Sequence, residues 1–410
     1  MIGGLKRRMA SLNTKNTAIR QKRRKKIWHF LTIIIIESVI FYFFINFLVF
    51  KKMNYNVILL ILAAILFIMF RRHKKIYASI VESFSQNNIF SILFITLLLL
   101  TVPFLFRENS YLLHICIMCG LYLIMALGLN IQLGSTGMVN FAFAAFFGVG
   151  AYTSALLAVN FQLSFWIGIL VAIIMSAIFG LLIGLLTLKS TGFYYALITM
   201  AFQIIFHLLV NNLKFTGGSG GISNIPFPAI GKFSFGSSLK ILGVNLPYQT
   251  SFYYLILIIA LFSIYLARGL YNSRNGLVWN AIREDEIAAK CQGINIARGK
   301  LEASAIGAVF GGIAGPIYAH YISYISPESF TFDLSVVLIC MVILGGLDNI
   351  LGVILGAILL TVIPEKFRVL AEYRMLFYGV IIIAVLVFRP EGLIPKGIRQ
   401  YIPLAYGKGK

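Results

Sequence analysis

Few side chains in this sequence of 410 residues are of a type and spacing that could do covalent or metal chemistry. Cys116 and Cys119 make a C-x-x-C, but inside an apolar run, where two small packing residues are expected rather than a redox or metal pair. His29, His73, His114, His207 and His320 are scattered, none with a second ligand at a useful spacing, and His320 is expected to be structural. Asp333 and Asp348 flank one apolar segment without the company a metal needs. Gly217, Gly218, Gly220 and Gly221 look like a phosphate cradle. No Lys-Ser or Lys-Thr follows them, and the Gly-Lys pairs at 231–232, 299–300 and 407–408 lack it too. A P-loop is therefore absent, no nucleophile–base constellation appears, and no metal or cofactor is expected on this chain.

Two polar patterns remain. The first is Asn130, Gln132, Ser135, Thr136 and Asn140, set among glycines between Gly128 and Asn140. Small residues allow close helix approach and unwound backbone beside a polar cavity. Lipid tolerates no unpaired polar group, so these five either line a translocation path or bond between helices. A second small-residue run spans Gly307, Gly311, Gly312, Ala314, Gly315 and Pro316.

The second pattern is a polar island, 268–302, between two apolar segments. Here Asn275 is expected to cap one helix from about Gly276 to Gln292, stopping at Gly293 in the left-handed position. Helical spacing puts Leu277, Val278, Ala281, Ile282, Ala288 and Ala289 on one side. Arg283, Glu284, Glu286 and Lys290 fall on the other, with Glu286 and Lys290 placed for an i, i+4 pair. Such a helix either docks into a partner's groove or packs on its own chain or the lipid interface.

The elements that must position these patterns are membrane helices. The chain is 60% hydrophobic and only 12% charged, far outside a soluble profile. An all-α, polytopic helical bundle of about 10–12 transmembrane helices follows. Two spans, Ile27–Phe50 and Tyr55–Phe70, precede ten more that begin near Phe90, and the first apolar run is too long for a cleavable signal. Glu37 interrupts the first span and is expected to have a structural role. Residues 1–26 form a basic arm that nucleic acid or anionic lipid could bind; directly before an apolar run, it is expected to be a cytoplasmic anchor. The outer connection 214–251 reads as a turn-rich loop, and Ser326-Pro327-Glu328 as a helix start. If every span crosses, segments on one side (1–26, 71–89, 189–192, 268–302, 389–410) hold 26 of the 35 Lys and Arg. The positive-inside rule makes that side cytoplasmic, with both termini and the 268–302 island.

Separated motifs then carry a family resemblance over about residues 90–395. They are ALGLNIQLGSTG (126–137), AAFFGVGAYTSALL (144–157), NNLKFTGGSGGIS (211–223), GLVWNAIREDEIAAKCQGIN (276–295), SPESFTF (326–332), LGG (344–346), PEKFRVLAEYRMLFYG (364–379) and FRPEGL (388–393). The chain resembles the permeases of branched-chain amino-acid ABC importers, of the larger, LivM type. That resemblance implies a bacterial inner-membrane permease core at 90–395, behind an extension at 27–89 and before a tail at 396–410. Its implied partners are a second, homologous permease of the LivH type, two cytoplasmic ATPase subunits that hold ATP and Mg, and an extracytoplasmic substrate-binding protein. The 268–302 island would be the ATPase-coupling loop, through Gly276, Ile282, Arg283, Glu284, Asp285, Glu286, Ala288, Ala289 and Gly293. Ala288-Ala289-x-x-x-Gly293 matches most of the family's EAA-x-x-x-G pattern, with Ile287 in its first position and the acid displaced to Glu286. Asn140-Phe141-Ala142-Phe143 stands where the family often has Ser-Leu-Gly-His/Gln. Expected rivals are the same machine carrying urea or short amides, an ion-coupled secondary transporter, and a membrane enzyme.

Overall fold

The computed structural model describes residues 30–49, 55, 88–366 except Lys189, Thr191, Lys232 and 242–243, and 373–394 except Pro390. The basic arm, nearly all of the second expected span and the tail 396–410 lie outside the described residues. The chain divides into two compact units, Met1–Phe106 and Arg107–Lys410.

In the first unit, α1 (Phe30–Val49) and α2 (Asn88–Leu105) are apolar along their length. Phe30 meets Phe90 edge-on at 4.6 Å between ring centroids. Glu37 is buried, and Ser91 donates a hydrogen bond to its Oε1. A carboxyl in an apolar span calls for such a partner; Oε1 has one, while the buried Oε2 has none among the described residues.

The second unit begins with α3 (Ser110–Asn130), whose last turn widens into a π-helix at Ile131–Ser135. After a non-helical stretch come α4 (Phe143–Asn160), α5 (Phe165–Leu186) and α6 (Phe193–Asn212). Then follow α7 (Gln249–Tyr271), the short α8 (Arg274–Glu284) and α9 (Glu286–Cys291), and α10 (Ile296–Ile322). The unit closes with α11 (Phe332–Gly345), α12 (Ile350–Lys366) and α13 (Arg374–Phe388).

The core sits around α10, which packs on α3, α4 and α5. Its glycine run makes that possible. A Cβ on Gly312 would come within 2.6 Å of the Ser176 side chain on α5, so only hydrogen fits between the two backbones. On the far side of α5, Leu170, Ile174, Ile178 and Leu185 form an exposed apolar stripe, as a lipid-facing helix requires.

Among the described residues eight helices are long and apolar enough to cross a membrane, and the apolar parts of α2 and α13 are shorter. The apolar segments at 334–347 and 350–363, expected as two spans, are α11 and α12. α11 alone has 14 residues, about 21 Å, and together with the preceding Pro327–Phe330 turn it makes the 19-residue Pro327–Gly345 segment that is one of the eight. The turn between them bends at Gly346 and Asp348, both at positive φ.

Helix connections gather at two ends of this unit. At one, the chain at 131–141 meets α8 and the 346–349 turn. At the other, the loop after α6 forms three short antiparallel ladders. Ile222 and Ser223 pair with Ile325 and Tyr324, Ala229–Ile230 pair with Phe233–Ser234, and Leu239–Ile241 pair with Val244–Leu246. Ser326-Pro327-Glu328 opens a 3-10 turn, Pro327–Phe330, rather than a full helix, and Ser326 makes no side-chain cap.

Candidate functional site

The polar island folds as a bent lever standing on the unit's first end. Ser273, not Asn275, begins it, its Oγ accepting from the Gly276 amide at 3.3 Å. The expected single helix is broken at Asp285, which is extended (φ −161°, ψ 115°). Its Oδ1 accepts from the amides of Ile287 at 2.7 Å and Ala288 at 3.0 Å, capping α9. A short acidic side chain that bonds its own following backbone competes with helix continuation, and here it wins. Gly293 does stop α9 as expected, at φ +79°. Its amide reaches Lys290 O at 3.0 Å and that of Ile294 reaches Ala289 O at 3.1 Å, the paired bonds of a Schellman ending.

The break also reassigns the faces, because one helical period does not run through Asp285. Gly276, Trp279, Ile282 and Ala289 are buried, whereas Leu277 and Ala288, expected on the apolar side, point outward, as does Ile287. Glu284 and Asp285 are exposed as charged residues should be. Glu286 pairs not with Lys290 but with Lys300 of α10, 2.7 Å away. Arg283, expected on the outer face, is half-buried and donates to Gly134 O in the π-helix. Burial pulls its pKa below the usual guanidinium value, opposed by the nearby Glu284 carboxylate.

Trp279 was not among the expected site residues, yet it is fully buried and its Nε1 donates to Gly299 O at 3.1 Å. The signal was present: a large aromatic within a polar stretch usually has a packing partner.

Beneath the lever lies the first polar pattern, and the structure brings all five residues together with no appreciable exposure. Asn130 donates to Tyr271 Oη at 2.6 Å and accepts from the Asp348 amide at 3.0 Å. Ser135 donates to Asp348 Oδ1 at 2.8 Å. Gln132 donates to Ser304 O at 2.9 Å and accepts from Asn140 at 2.6 Å, whose own Oδ1 accepts from the Ala142 amide at 2.7 Å. Thr136 bonds back to Gln132 O at 2.5 Å. Asn130, Gln132 and Ser135 thus bond to other elements of the bundle, and Thr136 and Asn140 within the 131–142 stretch. Tyr271 and Arg283, at the two ends of the lever's first half, both bond into the α3 end of this network.

At the opposite end lies a cavity of about 340 Å³. Its wall mixes His114, Glu328, Asp333 and Glu365 with apolar side chains such as Leu334 and Val337. Tyr111 donates to Glu365 at 2.6 Å. Among the described residues, no three His, Cys, Asp or Glu side chains converge as a metal site. Ser154 and His320 do meet at 3.0 Å, but both are fully buried and the other ring nitrogen lies 2.6 Å from Pro226 O. That contact ties the outer loop to α4 and α10, the structural role expected of His320.

Comparison with known proteins agrees with this architecture. The family model of the branched-chain amino acid transport system permease component matches residues 111–386. The chain is 36% identical over 329 residues to the high-affinity branched-chain amino acid transport permease LivM of Escherichia coli, covering 77% of each. It is 28% identical over 327 residues to a probable LivM of Methanocaldococcus jannaschii (68% of this chain, 91% of the relative). It is also 25% identical over 286 residues to the LivH permease of Salmonella typhimurium (67% and 91%). No solved structure matches.

Proposed function

The chain belongs to the branched-chain amino acid transport permease family, and from that premise we propose that it forms the membrane path of an ATP-driven importer for leucine, isoleucine and valine. As a member it is a transport subunit and not an enzyme, and the multi-pass helical body fits that assignment. In this reading the chain pairs with a related permease of the LivH type. Two ATPase subunits dock on the lever from the cytoplasm, and a binding protein delivers substrate to the loop-rich end. ATP and its Mg sit on the ATPases.

The observation that carries the reading is the two-sided lever. Its inner side is keyed into the body through Trp279, Ile282 and Arg283, while its outer side presents Leu277, Ile287 and Ala288, with Ile287 77% exposed. An apolar side chain held that far into water on a rigid, capped element suits a protein groove. Binding energy spent there would shift the body between outward- and inward-facing packings. The bonded polar residues Asn130, Gln132, Ser135, Thr136 and Asn140 then stand between lever and path, and could line the path in the other packing.

Uptake of labelled leucine and labelled urea, in cells expressing the permease pair, ATPases and binding protein together, tests the assignment. Leucine uptake that stops on ATP depletion is expected. Urea uptake without leucine uptake would replace it with the amide reading, and uptake that survives ATP depletion but collapses with the proton gradient would replace it with an ion-coupled carrier.

A further inference from the structure

The second half of the lever, α9, has six residues, too few to hold a helix unaided. Its caps, Asp285 and Gly293, belong to the lever itself and fix its shape without fixing it to the body. Ala289 packs inward. Beyond that, among the described residues the polar side-chain contact from α9 to the body is Glu286 with Lys300. Lys300 is 5% exposed, an ammonium that such burial leaves dependent on its partner. It sits on α10 one turn before Ser304, whose carbonyl accepts from Gln132. A displacement of α9 therefore reaches the polar network through the pair and one turn of α10.

We propose that Glu286–Lys300 is a latch, making both positioning residues for transport: it fastens the docking half of the lever to the core helix, and Glu286 faces its own chain instead of the ATPase. This rests on the reading that the lever is where the ATPases dock. The first half does not need the pair, since Trp279 and Arg283 hold α8 separately. Losing the latch should thus leave docking in place and weaken transmission.

The complete transporter in proteoliposomes provides the test, with substrate uptake per ATP hydrolysed as the readout and ATPase copurification beside it. Glu286→Gln keeps the shape and removes the charge. It is expected to lower uptake per ATP about fivefold or more, with ATPase copurification unchanged. The charge swap, Glu286→Lys with Lys300→Glu, is expected to restore most of the loss, a non-additivity that a merely destabilising pair of substitutions would not give. Undiminished uptake per ATP in Glu286→Gln would overturn the latch, as would loss of the ATPase from that variant, which would make Glu286 a contact. Failure of the unaltered permease to hold its ATPase through the lever would instead remove the docking reading, and is scored separately.

Discussion

Asn130 shows what a single buried amide can fix. It ends the regular part of α3, holds Tyr271 where α7 gives way to the lever, and fastens the α11–α12 turn through the Asp348 amide. Replacing it with leucine removes both bonds, the one to Tyr271 Oη and the one from the Asp348 amide. Asn130→Leu is expected to cost about 1–3 kcal/mol, read as a lower melting temperature in detergent. Tyr271→Phe keeps the Asp348 bond and should cost less, about 0.6 kcal/mol. Equal losses from the two would show that the backbone bond contributes nothing. The residues of this network were legible in sequence as a polar cluster among glycines. Their partners were not, because Tyr271, Ser304 and Asp348 lie far away in the chain and only the folded bundle brings them near.

For the elements, local chemistry was read well at one end of the lever and poorly in its middle. Gly293 terminates α9 as its type predicts, since a positive φ costs glycine little. Nothing lies within 4 Å of the Cβ it lacks, so strain there is purely conformational. Gly293→Ala should cost only about 1 kcal/mol and leave uptake largely intact, whereas Gly293→Pro, locked near φ −65°, should abolish uptake with the protein still in the membrane. Periodicity failed at Asp285, where a capping carboxylate reset the helix and left Ala288, expected on the apolar side with Ala289, exposed while Ala289 is buried. Asp285→Ala is accordingly expected to destabilise α9 by about 1 kcal/mol, seen as faster amide exchange at residues 286–291, while Asp285→Asn keeps most protection. At the same interface Ala289→Arg forces a long cation into a packed contact and should end uptake. Normal transport by that variant would mean that α9 need not sit on α10.

For the whole molecule, orientation rests on charge: if every expected span crosses, the segments on one side hold 26 of the 35 basic residues. Packing, which knows nothing of charge, gathers the π-helix, the lever and the α11–α12 turn at one end of the second unit, and the ladders with the Ser326–Phe330 segment at the other. What sequence could not give was where each segment starts: the span expected from 334 extends back through the Pro327–Phe330 turn to make a 19-residue Pro327–Gly345 segment long enough to cross, and α12 follows it after the Gly346 turn. The orientation is testable with a native side chain, since Cys291 on the lever is exposed while Cys116 and Cys119 are half-buried and Cys340 is buried. A membrane-impermeant maleimide applied to intact cells should leave Cys291 unlabelled and react after permeabilisation. In a variant with Cys291→Ser, a cysteine placed at the exposed Ser238 of the outer loop should show the reverse, labelling in intact cells. Labelling of Cys291 from outside would put the lever on the wrong face for any ATP-hydrolysing partner, and the docking role of Ile287 would fall with it.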